Sequence, residues 1–351
     1  MKRSLQMAGA FVGLIVGAGF ASGQEILQYF TSFGYWGIAG GIVATALFAF
    51  LGMTLAQLGS QLQTTSHKAV IYHIGGRYLG LVLDILITFF LFGVAVVMFA
   101  GAGSTFEQMF GMDARIGSIV MVVLTILTLL LNLKNILNLI AAITPYLLLV
   151  ILIILGYSLA TMDLSLLEAH AVAVEQPSAA TNWFLGALLY VSYNIACGAA
   201  LLIVMGGAEK DRRIAGIGGA LGGALLGVMI ILVHITLLVK VDTIAGVDLP
   251  TLALATQIHP VVGVLMAVAL LGMIYNTAVG MFYSFTVRFV APDHKSFKFV
   301  IVVVGIAGYV ASLVGFTTLV GQVYSTVGYL GFALMATIVV AWFRARQRRV
   351  A

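Results

Sequence analysis

Two short segments combine small and polar residues inside otherwise apolar stretches of the sequence. The first runs from Val16 to Glu25 (VGAGFASGQE), and the second runs from Tyr190 to Gly198 (YVSYNIACG). In hydrocarbon, a backbone that leaves the helix exposes amide and carbonyl groups, and each group without a partner is costly. Such a break is tolerated only where it is buried in protein or faces a hydrated cavity or a ligand. These segments are therefore the first candidates for a binding site.

The composition indicates that both segments lie in a membrane protein. The 351-residue chain is 62% hydrophobic and only 8% charged, whereas a soluble domain is about 25% charged. Ten apolar stretches are long enough to cross a bilayer. They lie near residues 7–32, 36–59, 79–105, 116–133, 136–160, 183–207, 214–239, 260–287, 299–317 and 320–343. We expect an all-α polytopic membrane protein with ten transmembrane helices.

The distribution of Lys and Arg predicts how these helices are oriented. With a cytoplasmic N-terminus, all of the 17 Lys and Arg residues except Arg115 and Lys240 lie on the inner side. This is the pattern of the positive-inside rule. Both termini are therefore expected in the cytoplasm, and residues 344–351 are expected to form a basic cytoplasmic tail at the lipid headgroups. The positive net charge reflects topology and does not indicate a nucleic-acid partner.

An acidic loop at residues 161–182, which lacks Lys and Arg, divides the spans into five and five. Because five is odd, the second half must enter the membrane from the opposite side. We predict a first five-helix repeat at 1–160, an extracellular connecting loop at 161–182 and a second, inverted repeat at 183–343. Each repeat begins with an interrupted segment, so helices 1 and 6 are expected to be discontinuous. Paired breaks are typical of the substrate site of a secondary transporter.

The two segments also carry a resemblance to a known family. Residues 17–25 (GAGFASGQE) and 192–194 (SYN) resemble the YkvI-like bacterial membrane proteins, and the inverted repeats resemble the LeuT fold of the amino acid–polyamine–organocation superfamily. The resemblance implies a transporter in the bacterial inner membrane, with substrate between helices 1 and 6 and often sodium between helices 1 and 8. The metal-transporting branch has Asp-Pro-Gly-Asn in helix 1 and a methionine ligand in helix 6. Neither occurs in these segments, which argues against a transition-metal substrate.

The first segment predicts a half-helix that begins inside the membrane. Gly17, Gly19 and Gly23 permit backbone angles that other residues resist. Ser22 and Glu25 have the spacing of a capping box, in which the Glu side chain reaches back to the Ser amide. The positive end of such a half-helix would attract a substrate carboxylate. The alternative is an unbroken helix in which the glycines are packing contacts.

Two acidic residues are candidates for a role in transport. Glu25 could bind a substrate amine, carry a proton or only complete the capping box, and the sequence leaves these alternatives open. Asp84 lies a turn or two into span three and is a second candidate for a proton or gating residue. A snorkelling interfacial acid is the alternative for Asp84.

The second segment offers groups suited to a zwitterion. Asn194 can both donate and accept hydrogen bonds, and Tyr190 and Tyr193 could close over a side chain. Alternatively, Asn194 satisfies neighbouring carbonyls and Cys197 is a small packing residue. The predicted substrate site comprises Gly19, Phe20, Ser22, Gly23, Glu25, Tyr190, Tyr193, Asn194, Cys197 and Gly198.

A coupling-ion site follows from the same resemblance. Sodium would bind near Gly17 and Ala18 of helix 1 and near Asn276 and Thr277 of span eight. Proton-coupled relatives place a lysine inside span five, whereas Lys134 precedes that span here, which favours Na⁺ over H⁺. The expected partners are a small solute, a monovalent cation and membrane lipid, and no further cofactor is expected.

These features predict a secondary active transporter of a small amino acid or related zwitterion or amine. A solute sensor with the same fold would keep the binding site without net flux. The spans contain no Ser/His pair, aspartate dyad or His-Glu-x-x-His motif, so an enzyme is not expected. The glycine-rich stretch 216–227 is expected to be a helix-packing face.

Overall fold

The computed structural model describes residues 2–63, 67–131, 143–162, 164–291 and 294–347, and these residues form helices and connecting turns. In the first half, the helices are α1 (Lys2–Ile15), α2 (Ala18–Ser22), α3 (Gln24–Tyr29), α4 (Trp36–Leu62), α5 (His67–Phe110), α6 (Ala114–Leu131), α7 (Ile143–Ala160) and α8 (Leu166–Ala173). In the second half, they are α9 (Trp183–Ala208), α10 (Arg212–Leu238), α11 (Pro250–Ile258), α12 (Pro260–Thr286), α13 (Phe297–Ser312), α14 (Phe316–Leu319) and α15 (Ser325–Gln347). A π-helical turn at Val320–Tyr324 joins α14 to α15.

The described helices coincide with the predicted spans, and residues 132–133 of the fourth span and 136–142 of the fifth lie outside the described residues. Five stretches within the described residues are long and apolar enough to cross a membrane, and they lie in α4, α5, α10, α12 and the α14–α15 unit. Helix α9 passes the same test as two segments bent by 50°. Shorter apolar helices at 114–130, 149–160 and 297–312, together with α1–α3, complete the set. The predicted all-α polytopic architecture is confirmed.

The helices pack in two groups that mix both halves of the chain. Helix α4 packs along α9 and α10, and α1 packs on α10. In the second group, α5 packs on α6, α12 and α13. Each group therefore contains equivalent helices from the two halves, as two inverted five-helix repeats require.

Backbone contact holds α4 and α10 together. A Cβ on Gly219 would collide with the backbone of Gly52, and a Cβ on Gly223 would collide with the backbone of Phe48. We call these positions (Gly52, Gly219 and Gly223) the glycine seam. The predicted packing role of the 216–227 stretch is confirmed, because small residues let two membrane helices approach this closely.

Helix α11 was not predicted, because at Pro250–Ile258 it is too short for a span. Pro250 occupies its first turn, where the missing N–H has no cost. The helix packs on α12 and contacts α2. It therefore brings a connecting loop of the second half against the interruption in helix 1.

Candidate functional site

Helix 1, the first predicted span, comprises α1, α2 and α3 and is interrupted at two glycines. Gly17 is extended (φ −95°, ψ −170°) and precedes α2, whereas Gly23 (φ +80°, ψ −10°) ends α2 and begins α3. Residues with a Cβ rarely adopt the left-handed conformation of Gly23. A Cβ there would also lie only 2.9 Å from the Thr251 side chain on α11. The predicted discontinuity of helix 1 is confirmed.

The predicted capping box between Ser22 and Glu25 does not form. The residue that caps α3 is Gly23, which has no side chain. The Ser22 hydroxyl instead donates to the Gly19 carbonyl at 2.7 Å and accepts from the Gln24 amide at 3.2 Å. The prediction was wrong because the left-handed turn delays the start of α3 by one residue. Glu25 is then too early in the helix to reach back to Ser22, and its carboxylate is used elsewhere.

The Glu25 carboxylate joins the two predicted segments. The Tyr193 hydroxyl donates a hydrogen bond to Glu25 Oε2 at 2.6 Å. Oxygen Oε1 lies over Gly19, where a Cβ would overlap it. Glu25 is only 6% exposed, and within the described part of the chain no Lys, Arg or His forms an ion pair with it. The site therefore holds an acidic group whose partner in the protein is a neutral hydroxyl.

Four buried tyrosines, here called the tyrosine cluster (Tyr29, Tyr190, Tyr193 and Tyr324), lie around this carboxylate. The ring centroids of Tyr190 and Tyr193 are 5.4 Å apart, and Tyr193 stacks on Tyr324 at 4.9 Å with an interplanar angle of 25°. The Tyr29 hydroxyl bonds to Ser325 at 2.9 Å. The Tyr190 hydroxyl is buried and makes no well-formed hydrogen bond within the described residues. Its oxygen can still accept one.

The second predicted segment is helical rather than unwound. Asn194 Nδ2 donates to the Tyr190 carbonyl at 2.9 Å, and Cys197 Sγ donates to the Tyr193 carbonyl at 2.7 Å. The 50° bend in α9 lies beyond this segment, between Ala199 and residue 201. Short polar side chains can bond to carbonyls of their own helix, so polarity alone did not locate the bend. The alternative role for Asn194, satisfying a neighbouring carbonyl, is the one observed.

Phe20 and Gly198 of the predicted substrate site lie in packed surroundings, in contrast to Gly17 of the predicted ion site. Phe20 is fully buried. A Cβ on Gly198 would meet the side chains of Leu14 and Ile15 at 3.4 Å. Gly17 is half-buried, and a Cβ there would have its nearest neighbour 4.0 Å away. The interruption thus has a packed side toward α9 and a more open side at Gly17.

The predicted sodium ligands of span eight lie on α12, which packs on α2, the helix that begins at Ala18. Asn276 is exposed and Thr277 is half-buried. The hydroxyl of Thr286 on the same helix donates to the Phe282 carbonyl at 2.8 Å. The Thr277 hydroxyl makes no such bond within the described residues. Neutral oxygens of this kind suit a hard cation. The side chain of Asp84, the predicted proton or gating residue, lies outside the described residues, as does Lys134.

Sequence reasoning missed a polar network beside the first interruption. The Asp248 carboxylate accepts hydrogen bonds from Ser104 at 2.6 Å and Thr317 at 2.5 Å. Gln24 donates to the Thr317 hydroxyl at 3.2 Å, and Thr251 donates to the Ala21 carbonyl. We call this set of contacts the lid network. Its members are far apart in the chain, so no local motif could have revealed it.

Part of the tyrosine cluster could have been predicted from the sequence. Tyr29 lies four residues after Glu25, and side chains at this spacing share one face of a helix. Tyr324 gave no local signal, because the π-helical turn that carries it has an ordinary apolar sequence. Only the tertiary contact with Tyr193 identifies it.

A cavity of about 500 Å³ adjoins the lid network. Its lining includes Ser104, Glu107, Asp113, Arg115 and Asp248. The cavity is bounded by α5, α6 and the turn before α14. None of the predicted substrate residues lines it, so it is separate from the Glu25 site.

Helix α1 has an open face at the end of the site away from the lid network. Gly9 and Gly13 are exposed, and a Cβ on either would meet no atom of the described residues within 4 Å. The opposite face packs on α10, and Arg3 forms an ion pair with Glu209 at 3.3 Å. The end of helix 1 near Gln24 is thus held by the lid network, whereas one face of α1 is exposed.

Comparison with other sequences gives two relatives from Bacillus subtilis. The membrane protein YkvI is 24% identical over 333 residues, covering 95% of this chain and 94% of YkvI. The protein YyaD is 25% identical over 327 residues, covering 93% of each chain. No family model matches the sequence.

Solved transporter structures have a similar fold. Mhp1 in an inward-facing conformation aligns with a TM-score of 0.62 at 14% identity, covering 98% of this chain and 77% of Mhp1. MhsT in complex with L-phenylalanine gives 0.60 at 14% identity, covering 94% and 86%. The manganese transporter of Eremococcus coleocola gives 0.59 at 16% identity, covering 95% and 77%. The chain is a polytopic membrane protein with the LeuT fold. Its sequence is similar to YkvI over nearly the whole of both chains.

Proposed function

We propose that the protein is a secondary active transporter of a small amino acid or a related zwitterion or amine. The observation that carries this proposal is the hydrogen bond between Tyr193 and Glu25. It places a buried carboxylate, which has no cationic partner among the described residues, between helices 1 and 6 of a LeuT fold. Ionisable side chains are costly inside the membrane, and those that occur there usually have a function. The amino group of a substrate would supply the missing positive charge.

The two ends of helix 1 support an alternating-access mechanism. The lid network closes the end near Gln24 through hydrogen bonds to Thr317 and Asp248. At the other end, the face of α1 that carries Gly9 and Gly13 is exposed among the described residues. With the predicted cytoplasmic termini, the lid network lies on the extracellular side and would close that side. Substrate would enter after the lid network opens.

Na⁺ is the coupling ion that we propose. Thr277 carries a hydroxyl that is not used within its own helix, and it lies on α12, the helix that packs on α2. Carbonyl groups near Gly17 and Ala18, where helix 1 leaves regular geometry, would complete the shell together with Asn276. Binding of Na⁺ there would link α2 to α12. This link would couple the interruption in helix 1 to the second group of helices.

Uptake into proteoliposomes tests the proposal. The purified protein would be supplied with each of a panel of radiolabelled amino acids and small amines, under an inward Na⁺ gradient or with Na⁺ replaced by K⁺. We expect Na⁺-dependent accumulation of at least one compound. Ligand binding without flux would identify a sensor instead. Accumulation driven by a proton gradient and indifferent to Na⁺ would replace sodium with the proton and direct attention to Glu25.

A further inference from the structure

We propose that the Tyr193 hydroxyl occupies the place of the substrate ammonium group on Glu25, and that the ammonium displaces it on binding. Tyr193 would then be a built-in competitor that keeps the empty site closed. This inference rests on the proposed function, because it assumes a substrate with an amino group. It goes beyond that function by predicting the sign of the effect when the hydroxyl is removed.

The first step of the argument is the setting of the carboxylate. Glu25 Oε1 lies over Gly19, so the position of the acidic group is set by the helix 1 interruption. Oxygen Oε2 accepts the 2.6 Å hydrogen bond from Tyr193. A buried acceptor without a partner is costly, and the Tyr193 hydroxyl removes that cost while the site is empty. An ammonium N–H would make a stronger, charge-assisted bond to the same oxygen.

The second step is that the Tyr193 hydroxyl has an alternative hydrogen-bond acceptor. A displaced hydroxyl needs another acceptor, because a buried donor is seldom left without a partner. The neighbouring Tyr190 hydroxyl is buried without a well-formed hydrogen bond, and the centroids of the two rings are 5.4 Å apart. A rotation of Tyr193 toward Tyr190 would therefore exchange one hydrogen bond for another.

The third step is that the side chain packed on Tyr193 can move with it. Its ring stacks on Tyr324, the last residue of the π-helical turn Val320–Tyr324. π-helical turns are rare, and they occur mostly as single turns inside α-helices, frequently at functional sites. The ring of Tyr324 can follow Tyr193 if this turn relaxes. The π-helical turn directly follows α14, which carries Thr317 of the lid network. Displacement of Tyr193 would therefore be transmitted through this turn to the lid network.

Binding of methylammonium tests the displacement. The full chain in detergent is titrated with methylammonium chloride at constant ionic strength, and the shift of the thermal unfolding midpoint gives an apparent Kd. We expect the Tyr193→Phe variant to bind about tenfold more tightly than the unmodified protein, because its empty site lacks a hydrogen bond to a charged group. Tyr190→Phe is a second test, because it removes the acceptor to which the displaced Tyr193 hydroxyl would turn, and it should bind methylammonium more weakly than the unmodified protein. Tyr283→Phe is the control, since that tyrosine is exposed on α12, and its affinity should be unchanged. Tetramethylammonium, which has no N–H to donate, should not gain affinity in any of these variants.

Three outcomes would overturn the proposal. Weaker methylammonium binding by Tyr193→Phe would mean that the hydroxyl contacts the ligand rather than competing with it. Equal gains for methylammonium and tetramethylammonium would mean that the ring, not the hydrogen bond, is responsible. Binding that survives in Glu25→Gln, or is absent from every variant, would remove the ammonium site from Glu25. The third outcome would also remove the observation that carries the proposed amine or zwitterion substrate, whereas the first two would leave it intact. The uptake assay decides separately whether the protein transports a solute.

Discussion

Glu25 Oε1 fills the space that a side chain would occupy on Gly19, six residues earlier in the same interrupted helix. The left-handed turn at Gly23 makes this contact by folding the start of α3 over α2. The absence of a Cβ at residue 19 is therefore a requirement of the carboxylate position. The first prediction tests this requirement directly.

Replacing Gly19 with alanine should abolish uptake while the protein still folds. The new methyl group would overlap the carboxylate, and the flexible Glu25 side chain would move away rather than unfold the helix. Gly156→Ala on α7 is the matched control, because a Cβ there meets no atom of the described residues within 4 Å. Uptake rates and size-exclusion profiles of the two variants are the measurements. Normal uptake by Gly19→Ala would show that the carboxylate position is unimportant.

The Glu25→Gln variant should lose at least about a hundredfold in uptake, because an uncompensated buried ammonium is strongly unfavourable. The structure removes the competing explanation that Glu25 acts only as a cap, since no capping box forms at Ser22. Glu168→Gln is an informative control. Glu168 does complete a capping box, with Ser165 on α8, and hydrogen bonds from Ser165 hold the pKa of its carboxyl below the usual value. That variant should transport normally, and near-normal uptake by Glu25→Gln would end the proposed role of Glu25.

Thr277→Ala should raise the Na⁺ concentration needed for half-maximal uptake by about tenfold, as expected for loss of one oxygen that contacts a charge. Thr286→Ala removes the same group from the same helix. Its hydroxyl is already bonded to the Phe282 carbonyl, so its sodium requirement should not change. If both variants have the same sodium dependence as the unmodified protein, the proposed ion site is in the wrong place.

Cys197 provides a probe of access to the site, because it is the only cysteine in the chain. It is half-buried and follows Tyr193 by one helical turn. A small membrane-permeant maleimide should label it in the folded protein, and a transported solute should slow the labelling. Mass spectrometry gives the rate, and Cys197→Ser gives the background. Reaction only after denaturation would contradict a water-accessible pathway beside α9.

The sequence was sufficient for the architecture but not for the site geometry. Hydropathy and charge asymmetry place the spans because lipid imposes strict requirements on every residue that crosses it. The break at Gly23 was also visible, since glycine is needed at a positive φ. The capping partner of Ser22 was misassigned because a one-residue shift at Gly23 changes which side chain can reach back. The bend in α9 and the stack of Tyr193 on Tyr324 depend on contacts between distant segments, which no local pattern encodes.

The glycine seam between α4 and α10 has a mechanical consequence. At Gly52 and Gly219 the two helices meet backbone against backbone, so at this point no side chain can change rotamer to accommodate a movement. Separating them would open a gap that no neighbouring side chain is positioned to fill. Helices α4 and α10 should therefore move together as one rigid unit throughout any transport cycle. Sliding must then occur where larger side chains separate the helices, as Tyr193 and Tyr324 do between α9 and the α14–α15 unit.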